Sequence, residues 1–339
     1  MSKALVTGAN GFIGSHLTKA LQDQGEDVAC LVRKTSSVER LASLGARMVY
    51  GDVTDRESLD VPISGTDVVY HVAGRTIALK KQDFFDVNET GTRNIVEVAA
   101  KQETPPTVIV VSSQAAAGPM LDGRPRTEAD PAEPVSNYGR SKLAGEMAAR
   151  QFADRVPMTI VRPPMVLGEG DPLGLQLFQP IARFGLHWVP ALGTDTFSVI
   201  HSADLASLII LAAKNGRRLQ PGESEGPSAA QGVYYAACEV APTYADLGRM
   251  VAKALGRRVR VVPTPPRAVW VVAGVSHTLA SLIRKPCYLN LDKAHEIRAG
   301  SWVCSVQAAT DELGFSTTAS LQDRLAQTAQ WYRREGWLR

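Results

Sequence analysis

The sequence predicts an α/β chain built on a doubly wound parallel sheet, with a smaller, mainly helical C-terminal part that holds the substrate. Three observations point there. Short β-branched runs alternate with helical patterns over the first half of the chain, a glycine-rich turn closes the first run, and the alternation stops after Arg162. Strands that alternate with helices imply right-handed crossovers and a parallel sheet covered on both faces.

The expected strands are residues 3–7, 27–32, 47–51, 68–71, 108–112 and 158–162. Helical patterns at 13–24, 38–43, 91–101 and 138–153 lie between them. Past Arg162, Pro163, Pro164, Gly168, Gly170, Pro172 and Gly174 crowd the chain, so it leaves the sheet there. Two later runs, 197–201 and 233–236, are expected to return to it, and polar residues 215–232 between them read as a mobile surface loop. This gives a nucleotide-binding unit over 1–165, with returning segments near 196–214 and 233–238. A cap over 166–195 and 239–339 would close the carboxyl edge of the sheet, where open α/β sheets bind ligands.

Composition narrows the function classes. The 339 residues are 45% hydrophobic, and 37 basic against 34 acidic side chains leave a net charge of +3. That balance gives no footprint for nucleic acid. The start of the chain has no basic, apolar signal pattern, and four cysteines, Cys30, Cys238, Cys287 and Cys304, lack metal-ligand spacing. A cytoplasmic chain with reduced thiols and no metal is expected.

Residues 3–14 read KALVTGANGFIG, a buried strand, three glycines and a helix start. Glycine at such a turn permits unusual φ and lets backbone approach a pyrophosphate, and the helix start offers free N–H groups. Gly8, Asn10, Gly11, Phe12, Ile13 and Gly14 are therefore candidate dinucleotide ligands in a Rossmann-type unit. The next strand ends in Arg33 and Lys34 where an acidic residue would select the 2′-hydroxyl of NAD. A cation there pairs with a 2′-phosphate, indicating NADP, with NAD as the alternative if Arg33 only stacks on adenine or faces solvent.

Ser113, Tyr138 and Lys142 carry the chemistry. Tyr138 and Lys142 stand at i and i+4, on one face of a helix. A tyrosine with pKa ~10 supplies little phenolate at neutral pH, and an ammonium one turn away favours it. Ser113, at the end of a strand, is placed to hold a substrate oxygen. Arg183, Arg217, Arg218, Arg257, Arg258 and Arg260 are further candidates, for holding a second diphosphate.

The chain resembles the extended short-chain dehydrogenase/reductases of the NAD-dependent epimerase/dehydratase superfamily, nearest to dihydroflavonol reductases and 3β-hydroxysteroid dehydrogenase-like members. The resemblance rests on TGANGFIGSHL (7–17), GDVTD (51–55), YHVAG (70–74), VNETGTRN (87–94), VVSS (110–113), YGRSK (138–142), VRPPMVLGEGD (161–171) and FSVIHSADLA (197–206). It implies that Asp52 and Val53 meet the adenine, that Ala73 and Gly74 line the dinucleotide path, and that Asn88 supports the cofactor side. It also implies that Pro163 to Val166 lie against the nicotinamide, and it allows a homodimer through two helices per subunit. His201 is expected to be structural, and Asp204 to cap the helix that follows.

The expected activity is interconversion of a ketone and a secondary alcohol on a small apolar substrate of steroid, flavonoid or β-keto-acyl kind. The alternatives are a sugar-nucleotide epimerase or dehydratase with tightly held NAD, and a dinucleotide-sensing regulator without turnover. Residues 267–285 form an apolar helical segment between cations. It reads as a core helix, a lid over the substrate or a peripheral membrane contact.

Overall fold

The computed structural model describes residues 2–190, 194–222, 230–283, 285–287 and 290–338. The segment 223–229 of the expected surface loop, and Arg284 beside the apolar helix, lie outside the described residues. Within them the strands are β1 (Lys3–Thr7), β2 (Asp27–Val32), β3 (Arg47–Tyr50), β4 (Val68–His71), β5 (Thr107–Val111) and β6 (Met158–Arg162). There follow β7 (Met165–Leu167), β8 (Leu186–Pro190), β9 (Val199–His201), β10 (Val233–Tyr235) and β11 (Arg260–Thr264).

Seven strands form one sheet in the order β10-β6-β5-β4-β1-β2-β3. Every pairing in it is parallel. This is the doubly wound order, which reverses beside β1 and opens a crevice at the carboxyl ends of β1 and β4. The inner strands are buried on both sides because helices cover both faces, while the edge strand β3 is partly exposed. Along β1, Ala4 and Val6 join the core under the helices Phe12–Asp23 and Ser202–Asn215, while Leu5 joins the opposite core with Ile95 and Val96. The period of two thus distributes one short strand between two cores.

A third, separate core gathers Phe178, Ile181, Leu247, Val251, Leu325 and Tyr332. It joins the helices Pro172–Phe184, Tyr244–Leu255 and Leu321–Arg334 beyond the carboxyl edge of the sheet. One expectation needs correction here, and one element goes beyond what was expected. The 197–201 run does not return to the main sheet: β9 pairs with β7 in a separate two-stranded ladder, and only β10 rejoins beside β6. The C-terminal part also contains strand β11, which pairs in parallel with β8. In both cases a short strand takes its partner from the neighbours that tertiary packing supplies.

The helix Pro266–Leu282 forms as its apolar run requires. It is not buried all round. Val269, Ala273 and Ala280 face the protein, whereas Val271, Val275, Leu279, Leu282 and Ile283 are exposed. Asp204 also departs from expectation. The ring of His201 caps the helix Ser202–Asn215 by accepting from Ala203 N, and Asp204 instead binds Arg324 at 2.6 Å. It thereby fastens the last long helix to the rest of the molecule.

Candidate active site

One cavity of about 1820 Å³ runs along the carboxyl edge of the sheet. Its floor is the glycine turn. Gly8 has φ +65°, and a Cβ there would lie 2.7 Å from the backbone of Ala73. A Cβ at Gly14 would sit 2.2 Å from the Gly8 carbonyl oxygen. The turn is closed by Gly11 N donating to Gly8 O at 3.0 Å, and the helix Phe12–Asp23 starts without a side-chain cap. Its first N–H groups are therefore available to an anion. A cradle that a single methyl would fill fits a pyrophosphate.

Most of the residues singled out in the sequence meet on this cavity. Gly8, Asn10, Gly11, Phe12, Ile13, Gly14, Arg33, Asp52, Val53, Ala73, Gly74, Ser113, Tyr138, Pro163 and Val166 all line it. Arg33 is exposed and shares its stretch of wall with Ser36, whose N–H donates to Arg33 O. The Asp52 carboxylate is held by its own turn, accepting from the N–H and hydroxyl of Thr54 at 2.9 Å each.

Asn88 and Lys142 do not line the cavity; they stand behind Gly74. A Cβ at Gly74 would meet Asn88 Oδ1 at 3.2 Å and Lys142 Nζ at 3.4 Å. Asn88 lies inside a π-turn, Asp86–Thr90, rather than at a helix cap. Its amide donates to Ser141 Oγ and Arg75 O and its Oδ1 accepts from Arg75 N, tying the chain after β4 to the helix Asn137–Arg150.

That helix presents Tyr138 to the cavity and Lys142 beneath it. Ser136 caps it by accepting from Gly139 N, and Asp292 accepts from the N–H groups of Asn137 and Tyr138 at 2.7 and 3.2 Å. An anion at this end also suits the helix dipole. The Tyr138 ring packs against Phe84 with centroids 6.1 Å apart. Lys142 is buried and donates to Val111 O at 2.7 Å. Burial lowers its pKa to about 8, against an opposing pull from Glu146. Glu146 in turn holds Arg162 bidentately at 3.0 and 2.6 Å and accepts from Ser112 Oγ at 2.5 Å. Burial works against the Glu146 charge, yet Arg162 keeps its carboxyl below the usual range.

Ser113 caps a short helix, Gln114–Ala117, by accepting from Ala115 N at 3.1 Å, which leaves its hydroxyl proton free for an acceptor of its own. Next to it the buried Gln114 lines the cavity with its Nε2 unpaired among the described residues. Such an atom fits a wall meant to face a ligand. His71 is a core residue between the Thr7 and Thr92 hydroxyls, and burial lowers its pKa to about 3. His201 sits against Glu169 at 3.2 Å, a structural place as expected. Among the described residues no group of His, Cys, Asp or Glu is arranged to hold a metal ion.

Sequence reading missed Asp292, Ser36, Phe84, Trp188 and the Glu146–Arg162 pair. Only the pair left a local trace, since Glu146 follows Lys142 by one helical turn. None of Arg183, Arg217, Arg218, Arg257, Arg258 and Arg260 lines the cavity. Arg218 instead satisfies the carbonyls of Ala212, Ala213 and Gly216, and Arg217 pairs with Glu312.

The sheet order and the glycine cradle at its reversal fit a dinucleotide-dependent enzyme of the extended short-chain type. Residues 4–224 match the model of the NAD dependent epimerase/dehydratase family, and the chain belongs to that family. It is 31% identical to a ceramide reductase of Caulobacter vibrioides, over 98% of this chain and 95% of that one. It is 30% identical to a 4-hydroxy-2-methyl-3-oxo-4-farnesyl-3,4-dihydroquinoline-1-oxide ketoreductase of Stigmatella aurantiaca, over 63% of this chain and 65% of that one. Among solved structures it shares its fold with a UDP-glucose 4-epimerase of Thermotoga maritima, at 21% identity and TM-score 0.77, covering 98% and 99% of the two chains.

Proposed function

We propose that this protein is an NADP-dependent reductase of an apolar ketone, yielding a secondary alcohol. The observation that carries this reading is the character of the cavity beyond Tyr138. Its wall holds Phe84, Leu177, Trp188, Phe197, Val269, Val272 and Trp302. The charged groups there are mostly acidic: Asp83, Asp86, Asp171, Asp195, Asp292 and Glu296 against Arg75 and Lys293. Such a wall suits a substrate with apolar bulk and repels a second diphosphate. Reductases among the relatives agree with it.

The residues divide the work as follows. The glycine turn and the start of the helix Phe12–Asp23 hold the pyrophosphate, and Arg33 with Ser36 takes the 2′-phosphate. When bound, the nicotinamide supplies or receives the hydride. Ser113 Oγ donates to the substrate oxygen and orients the carbonyl. Tyr138 Oη gives that oxygen its proton on reduction and takes it back on oxidation. The Lys142 ammonium, anchored on Val111 O, lies close behind Gly74 and favours the phenolate form of Tyr138.

The second reading, a sugar-nucleotide epimerase or dehydratase with retained NAD, draws on the structural likeness to the UDP-glucose 4-epimerase. It needs a cationic second diphosphate site, which none of the arginines named for it supplies. The deciding experiment is to denature freshly purified protein and identify the released nucleotide by mass spectrometry. Little nucleotide, or exchangeable NADP, is expected. Near-stoichiometric NAD would overturn the reductase reading in favour of a self-recycling enzyme.

A further inference from the structure

The helix Pro266–Leu282 has two apolar faces with different neighbours. Ala268, Val269 and Val272 line the substrate end of the cavity. On the outside, Val271, Val275, Leu279, Leu282 and Ile283 recur at spacings of four, four, three and one and are exposed, Leu282 by 75%. A contiguous, exposed apolar stripe of this kind marks a place of contact. Trp188 lines the same cavity, is 49% exposed, and lies on β8, paired with the strand β11 that leads into this helix. A half-exposed tryptophan suits the boundary between hydrocarbon and water.

Charge decides what covers the stripe. From Leu247 to Leu291 the chain has eight Lys and Arg residues and no Asp or Glu. Arg257, Arg258, Arg260, Arg267 and Lys285 are exposed, and none of them is in an ion pair among the described residues. The carboxylates of the adjacent helix turn inward, Asp292 onto the N–H groups of Asn137 and Tyr138 and Glu296 onto Ser136. A second copy of this chain is a poor occupant, because a two-fold interface would set this cationic region against itself. An anionic bilayer surface is complementary to both the stripe and its charge. No helix among the described residues is long and apolar enough to cross a membrane, so this contact would lie in the interface.

We propose that the outer face of the helix Pro266–Leu282, with its neighbouring cations, docks the protein on an anionic lipid surface and opens the substrate end of the cavity toward the bilayer. The substrate then arrives from the lipid side, which rests on the reading that it is apolar. The docking itself does not depend on catalysis. The test is co-sedimentation of the full chain with vesicles of phosphatidylcholine alone or containing phosphatidylglycerol. The protein is expected to pellet with the phosphatidylglycerol vesicles and much less with the others. Val275→Glu combined with Leu279→Glu is expected to weaken that binding by about tenfold or more. Turnover of a short water-soluble ketone by this variant should be unchanged, because neither side chain lines the cavity.

Should the double variant fold poorly by circular dichroism, Arg267→Gln and Lys285→Gln, the exposed cations that flank the helix, together test the same surface. Each cation near an anionic membrane is worth about fivefold in binding, so this variant is expected to lose the preference for phosphatidylglycerol. Wild-type protein that pellets with neither vesicle overturns the proposal, as does a Val275→Glu/Leu279→Glu variant that is folded and binds like wild type. So does a wild-type dimer that this variant splits, since the stripe would then be covered by a second copy. Absence of ketone turnover with intact vesicle binding would instead count against the reductase reading alone.

Discussion

Lys142 Nζ donates to the carbonyl oxygen of Val111 at 2.7 Å, tying the helix that carries Tyr138 to the end of the strand that delivers Ser113. Two elements distant in sequence are thus locked by a buried charge, and Ser113 and Tyr138 at the cavity inherit their spacing from that lock. A site held on a helix and a strand end moves less than one held on loops.

The first prediction concerns the proton. Tyr138→Phe keeps the ring against Phe84 and removes only the hydroxyl. Turnover is expected to fall by about 10²–10⁴-fold, the usual contribution of a positioned acid or base. Nucleotide affinity, measured by fluorescence titration, should stay near wild type.

A second follows from the buried ammonium. Lys142 titrates near 8 in the fold against the ordinary value of 10.5, because burial penalises its charge. Below pH 8 both folded and unfolded chains hold the proton and the cost of burial is borne in full. Between 8 and 10.5 the unfolded chain holds more protons, so this residue makes stability rise with pH. Activity moves the other way, since the charged form supports Tyr138. A fall of kcat/KM through about pH 8 is expected, and Lys142→Arg, which stays charged, should move that limb upward.

For cofactor choice, Arg33→Ala removes a cation from the wall it shares with Ser36. Hydrogen bonds to charged groups contribute about 1.5–3 kcal/mol, so kcat/KM with NADPH should fall about 10–100-fold. Values with NADH should hardly change. Equal losses with both nucleotides would show that Arg33 does not read the 2′-phosphate.

The pair Glu146–Arg162 supplies a stability prediction. Both side chains are nearly inaccessible and bonded twice to each other. Removing one partner leaves a buried charge, so Glu146→Ala or Arg162→Ala should cost about 3–5 kcal/mol in urea unfolding. Replacing both with Met should cost clearly less than the sum of the two single changes.

How much of this was legible in the sequence depended on the range of the signal. The glycine turn, and Tyr138 with Lys142, are patterns of a few residues whose geometry a strand end or helix turn dictates, and they stand where expected. The sheet was legible because the strands other than the edge strand β3 are mostly buried, apolar runs set apart by helices. Asp292 at the head of the Tyr138 helix was not, since its partner lies 155 positions away and nothing local marks it. Residues 260–264 read RVVPT, without alternation and with Pro263 inside the run, so a short strand paired only with β8 gave too weak a signal against a helical background. The apolar circumference of 266–282 hid which face would be left outside, because only the packing of its neighbours decides that.

Reduction of an apolar ketone with deuterium transferred from C4-deuterated NADPH tests the central claim most directly. The reductase account predicts one deuterium on the carbinol carbon of the product per NADPH consumed, and loss of the transfer in Tyr138→Phe. A sugar nucleotide epimerised with no consumption of NADPH and no deuterium in the product would contradict it.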